Sequence, residues 1–113
     1  MYCTKERLKE LIKKQYLIID GATGTELQNK EIKKESWIIN GNNIEGCNEI
    51  LNITAPNIMK EIHIDYLNAN ANIIKTNSFG AIPWVLSEYN IADKTYELAK
   101  AAALIANEAR EEY

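Results

Sequence analysis

Two short apolar runs, Tyr16-Leu17-Ile18-Ile19 and Ile73-Ile74-Lys75-Thr76, constrain this chain more than any other feature. Each is too short to be a helix and each stops abruptly at polar and glycine residues, which is the mark of a strand. Between them lies a helical pattern. Thr54-Ala55-Pro56 makes a good start, with Thr54 as the cap and proline in the first turn, and Ile58, Ile62, Tyr66 and Ala69 then mark one face to about Asn70. A strand, a helix and a strand in that order require a parallel pair joined by a right-handed crossover. The expected fold class is therefore α/β, with the first strand buried on both faces.

The remaining segments fit around that unit. Thr4 caps a short amphipathic helix carrying Leu8, Leu11 and Ile12 among lysines and glutamates. From Gly21 to Thr54 periodicity is weak, so a helical turn near Glu26 to Lys30 and then a long irregular excursion are expected; loops of that length are usually functional or mobile. A brief helix from Pro83 to Tyr89 follows the second strand. From about Asp93 an alanine-rich stretch places Leu98, Ala102, Ile105 and Ala109 on one stripe of a long helix.

Composition narrows the function classes. With 46% hydrophobic and 26% charged residues the chain is built to pack, and its 113 residues amount to at most one domain. A net charge of −3, with lysine and glutamate interspersed, leaves no basic footprint for a nucleic acid. The longest apolar run, Ala101 to Ala106, is far too short for a membrane span, and MYCTKERLKELIKKQY has no apolar leader core. Cys3 and Cys47 are widely separated and sit in no metal-ligand or redox spacing, so a reducing, cytoplasmic setting is expected.

Polar and glycine residues gather directly after both strands: Asp20-Gly21-Ala22-Thr23-Gly24-Thr25 after the first, Thr76-Asn77-Ser78-Phe79-Gly80 after the second. In parallel α/β folds ligands bind at that rim, beyond the carboxyl ends of the strands. By residue type, Asp20 can take an ammonium group. The glycine-loop N–H groups and the hydroxyls of Thr23, Thr25 and Ser78 can surround a carboxylate or phosphate. DGATGT has neither the GK[ST] ending of a P-loop nor the GxGxxG order of a dinucleotide fold. From spacing alone, glycines that only turn the chain, with Asp20 capping the turn, explain the pattern slightly better.

Taken together, however, Leu17 to Glu26, Gly46-Cys47-Asn48-Glu49-Ile50-Leu51-Asn52, Ile62-His63 through Tyr66-Leu67, and Ile73 to Ala81 closely resemble the start of the homocysteine S-methyltransferase domain. Within that family the likeness is to the homocysteine-binding module of cobalamin-dependent methionine synthase, and it runs from about residue 16 onward. Several separated motifs in the right order are far more specific than any one of them. The resemblance implies the N-terminal portion of a TIM (β/α)8 barrel, with residues 1–113 forming a partial homocysteine-binding domain. It implies homocysteine at the C-terminal rim, its thiolate activated by zinc for attack on a methyl donor such as methylcobalamin. By position, Asp20 and Gly21 to Thr25 would hold the ammonium and carboxylate ends, and Thr76 to Gly80 the adjoining wall.

Departures from the family pattern carry equal weight. Relatives bind zinc through three cysteines on later strands, one separate and two adjacent, and neither Cys3 nor Cys47 stands at such a position. The barrel needs about 250 residues, so the chain is expected to supply two of eight strands and to be inactive alone. Two parallel strands leave unpaired edges; the alternative is a non-catalytic assembly module that self-associates or pairs with a chain completing the barrel. Relatives usually carry Ala-Gly-Ala-Asp where this chain has Ala69-Asn70-Ala71-Asn72, and asparagine tolerates the left-handed turn. Cys47 is expected to be a buried small residue. Lone His63, scattered Trp37, Trp84 and Tyr89, and the terminal acids Glu111 and Glu112 are read as structural.

Overall fold

A computed structural model describes residues 3–113. The protein is mixed, mostly helical, with one small antiparallel sheet. Helix α1 (Lys5–Lys14) begins where Thr4 Oγ1 accepts the Arg7 N–H at 3.1 Å, the expected cap. It buries none of its residues, and the molecule is elongated. Its radius of gyration is 15.3 Å, against about 13 Å for a compact domain of this length.

The two predicted strands do meet, in parallel, through a bridge between Ile19 and Ile73. Asp20 N–H donates to the Ile73 carbonyl at 2.9 Å and Ile73 N–H to the Ile18 carbonyl at 3.1 Å. The expectation of two-sided burial fails. Ile18 is 60% and Ile19 56% exposed, because neither segment has a further strand beside it among the described residues. Asn72 adds a bond the chain direction alone would not supply: its side-chain carbonyl accepts the Ile18 N–H at 2.9 Å.

The region read as an irregular excursion holds more structure than its periodicity suggests. After α2 (Thr23–Gln28), a 3₁₀ turn at Lys34–Trp37 leads into a hairpin of β1 (Ile38–Ile39) and β2 (Asn42–Asn43). Asn40 and Gly41 form its turn, both with positive φ, 53° and 79°. That is the Asn-Gly pair a tight hairpin requires. The chain then enters α3 (Leu51–Thr54) and α4 (Pro56–Asn68).

Two details of α4 differ from the sequence reading. Ala55 occupies the cap position, and the Thr54 hydroxyl instead donates back to the Ile50 carbonyl at 3.2 Å. The buried face is Met59, Ile62, His63 and Leu67, rotated about one residue from the expected stripe. Asn70 takes the left-handed conformation, φ 71°, as expected of a residue standing in for glycine. Beyond α5 (Pro83–Leu86), the helix α6 (Thr95–Glu112) buries Leu98, Ala102, Ile105 and Ala109 on the expected stripe, together with Ala106.

The core sits where α3, α4 and α6 meet. Ile50, Leu51, Met59, Ile62, Leu86, Ile91 and Leu98 are its fully buried side chains. Trp37 and Tyr89 pack against it, as expected, whereas Trp84 is 71% exposed and does not. Trp84 lies on the four-residue α5, whose buried position is taken by Leu86. No helix among the described residues is long and apolar enough to cross a membrane.

Candidate functional site

The loops that follow the two strands face one another across an open cleft of about 1030 Å³. Of the residues singled out from sequence, Gly21, Ala22, Thr23 and Gly24 line one side and Thr76, Asn77, Ser78 and Phe79 the other. Asp20, Thr25 and Gly80 lie outside its lining. Gly46, Asn48 and Glu49, from the long connection, complete the wall. A smaller concavity of about 410 Å³ adjoins it, shares Gly24, Gly46 and Asn48, and runs toward Trp37 and Lys30.

Asp20 has the chemistry expected of it but spends it internally. Its carboxylate is only 3% exposed and accepts both the Lys75 ammonium, in a close ion pair, and the Lys75 backbone N–H at 3.0 Å. The same ammonium donates to the Asp20 carbonyl at 2.9 Å and reaches the Gly21 carbonyl at 3.3 Å. Lys75 therefore clamps the end of the first strand to the second. Gly21 is explained by packing: a Cβ there would stand 2.9 Å from Tyr66 Oη and 3.3 Å from its ring. Tyr66 in turn donates to the Ala22 carbonyl at 2.8 Å, so α4 holds the glycine loop from behind.

The second loop divides into an inward and an outward half. Asn77 is buried and its amide donates to the Asn48 carbonyl at 3.0 Å and to Asn52 Oδ1 at 2.9 Å. Buried Asn52 reciprocates, donating to the carbonyls of Asn77 at 2.8 Å and Leu98 at 3.2 Å. This network fixes the loop to α3 and α6, which makes Asn77 a fastening with one edge on the cleft. The hydroxyls of Thr76 and Ser78 pair at 2.6 Å at the rim, and Phe79 is fully exposed.

Glu49 is the residue that reading by loop motif misses. It is half-buried, and burial pushes its carboxyl above the usual carboxylate range, opposed by the backbone N–H groups of Glu49 and Gly80. Gly80, outside the cleft lining, is what makes room for it: a Cβ on Gly80 would overlap the Glu49 carboxylate and lie 3.0 Å from its Cδ. The sequence signal was present in the Gly46-Cys47-Asn48-Glu49 motif but carried no role there.

Two neighbouring titratable groups, Cys47 and His63, are buried. Cys47 is buried, as expected, and its thiol is pushed up by burial and then by the nearby Glu49 charge, so it is protonated at neutral pH. His63 is 2% exposed with neither ring nitrogen hydrogen-bonded, and burial pulls its pKa down against a weaker pull from Asp20. Among the described residues no three His, Cys, Asp or Glu side chains converge as a metal site.

Residues 17–113 match the family model described as homocysteine S-methyltransferase. Two curated relatives are methionine synthases, from Mycobacterium leprae at 37% identity and from Mycobacterium tuberculosis at 34%, each aligned over 105 residues. Those alignments cover 93% of this chain and 8% of each relative, so the chain spans about 8% of the length of the relatives it matches. With a family model covering nearly the whole chain, and with its two motif loops drawn to one cleft, the protein belongs to the homocysteine S-methyltransferase family.

Proposed function

We propose that residues 1–113 form part of a homocysteine-binding domain that serves methyl transfer to the homocysteine thiol, giving methionine, in the cytoplasm. The observation that carries this reading is the convergence of Gly21 to Gly24 and Thr76 to Phe79 on one cleft. An amino acid presents a carboxylate and an ammonium, and the cleft offers both kinds of partner. Glycine-loop N–H groups and the hydroxyls of Thr23 and Ser78 suit the carboxylate, and the acidic side chain of Glu49 suits the ammonium, while Asp20 and Thr25 belong to the loop without lining the cleft. The two loops extend from a strand pair of the kind that opens a TIM barrel, and the family's barrel is the architecture this segment would join.

In the family, zinc would supply a thiolate and methylcobalamin the methyl group. The described residues do not fit a zinc site, since Cys47 is buried and no ligand cluster forms among them. The chain's contribution is thus substrate binding, and the chain alone is inactive. Titrating it with L-homocysteine under reducing conditions, followed by amide chemical shifts, tests this directly. Shifts are expected at Gly21 to Thr25 and Thr76 to Gly80. Their absence, or robust methyl transfer from methylcobalamin by the chain alone with added zinc, would overturn the reading.

One observation also favours an assembly role. Ile18 and Ile19 stand mostly exposed on strands with open edges, a surface proteins normally cover. A chain carrying the rest of the barrel would cover it, and a second copy is the alternative. Size-exclusion chromatography with light scattering is expected to show association. A stable, well-dispersed monomer counts against it.

A further inference from the structure

The charges around the cleft do not balance, and the imbalance has an address. The charged side chains lining it are Lys75 and Glu49. Lys75 is already neutralised by Asp20 behind the wall. Glu49 has no cation within ion-pair distance among the described residues, although it is only partly exposed. Backbone N–H groups of Glu49 and Gly80 are its partners, so it has hydrogen bonds but no counter-charge, and a cation entering the cleft would supply one.

Its placement is also held. The side chain lies against the backbone of Gly80, where an added Cβ would overlap its carboxylate. Asn77, three residues before Gly80, is locked to Asn48 and Asn52 on the segment that carries Glu49. The carboxylate is therefore an acceptor on the cleft wall, set against the second loop.

Building on the homocysteine reading, we propose that Glu49 is the residue that receives the substrate's ammonium group and makes the cleft selective for α-amino acids over the corresponding simple acids. Asp20, held by Lys75, then acts as a positioning residue for the loop. The test compares L-homocysteine with 4-mercaptobutanoate, which keeps the thiol and carboxylate and lacks the ammonium, by amide-shift titration of the full chain. Wild type is expected to favour homocysteine by about tenfold, as one charge-assisted hydrogen bond warrants. Glu49→Gln is expected to cut that preference below about twofold while binding 4-mercaptobutanoate as wild type does. Equal wild-type affinity for both ligands, or a retained preference in Glu49→Gln, would overturn the inference and leave the homocysteine reading standing. Failure of wild type to bind either ligand overturns both. Should Glu49→Gln lose its amide dispersion, Gly80→Ala takes its place, since it displaces the carboxylate without removing its charge. A folded Gly80→Ala chain that keeps the preference also overturns the inference.

Discussion

The helical core and the strand pair are opposites within one small chain. Where α3, α4 and α6 meet, Leu51, Met59, Ile62 and Leu98 are wholly removed from water, and buried Asn52 and Asn77 have their side chains hydrogen-bonded. At the strand pair, backbone pairing is formed but Ile18 and Ile19 remain more than half exposed. Stability in the isolated chain is therefore expected to come from the crossover side, and the strands to be held in place by it. Leu98→Ala tests the first half of that contrast with the largest expected effect, a loss of about 2–5 kcal/mol in urea unfolding. A loss under about 1 kcal/mol would mean that the helical contacts are not the source of stability.

Asn77→Ala probes the joint between the two regions. It removes a buried amide and leaves the Asn48 carbonyl and Asn52 Oδ1 without their donor, a cost of about 1–3 kcal/mol. The amide shifts of Thr76 to Phe79 should broaden or move more than those of α6, because the loop loses its fastening while the helix keeps its apolar contacts.

What the sequence disclosed follows the same division. The parallel pairing of the strands, the α6 stripe and the left-handed Asn70 were all legible, since each rests on local pattern or on the geometry of a single residue. Two-sided burial was not legible, because it depends on neighbours that a short apolar run cannot specify. The Asn40-Gly41 turn was legible in principle, but its two-residue strands, one of them Asn42-Asn43, show no alternation to draw attention to it. The two loops that line the cleft stand out in the sequence by composition. Asp20 was assigned by its charge and by its place in the motif, and its capture by Lys75 needs three-dimensional proximity. Glu49 was overlooked because an acidic residue in a weakly periodic stretch reads as wet surface until Gly80 is seen against it.

His63 sharpens the contrast through pH. Burial holds its folded pKa below the ordinary value, so on acidification the unfolded chain takes up the proton first. Its contribution to stability is constant above about pH 6.5 and declines as pH falls toward the folded pKa. Chemical denaturation at pH 7 and pH 5 should show a loss that His63→Leu reduces, because leucine has no proton to gain and leaves no orphan ring nitrogens. An identical pH dependence in wild type and His63→Leu would show that other groups govern acid sensitivity.

The smallest expected effect is the sharpest test of the comparison itself. Ile18→Thr keeps a β-branched residue on the strand and leaves untouched the backbone bonds to Asn72 and Ile73, so the only loss is apolar contact. With Ile18 60% exposed, that contact is already mostly wet, and the change in unfolding free energy should stay within about 0.5 kcal/mol. A cost approaching that of Leu98→Ala would mean that the strand face is covered in solution. The coverage would then have to come from a second copy, and the cost would fall as the protein is diluted, because association stabilises by mass action. A cost that is small and independent of concentration leaves the strand pair as a wet face carried by a dry helical core.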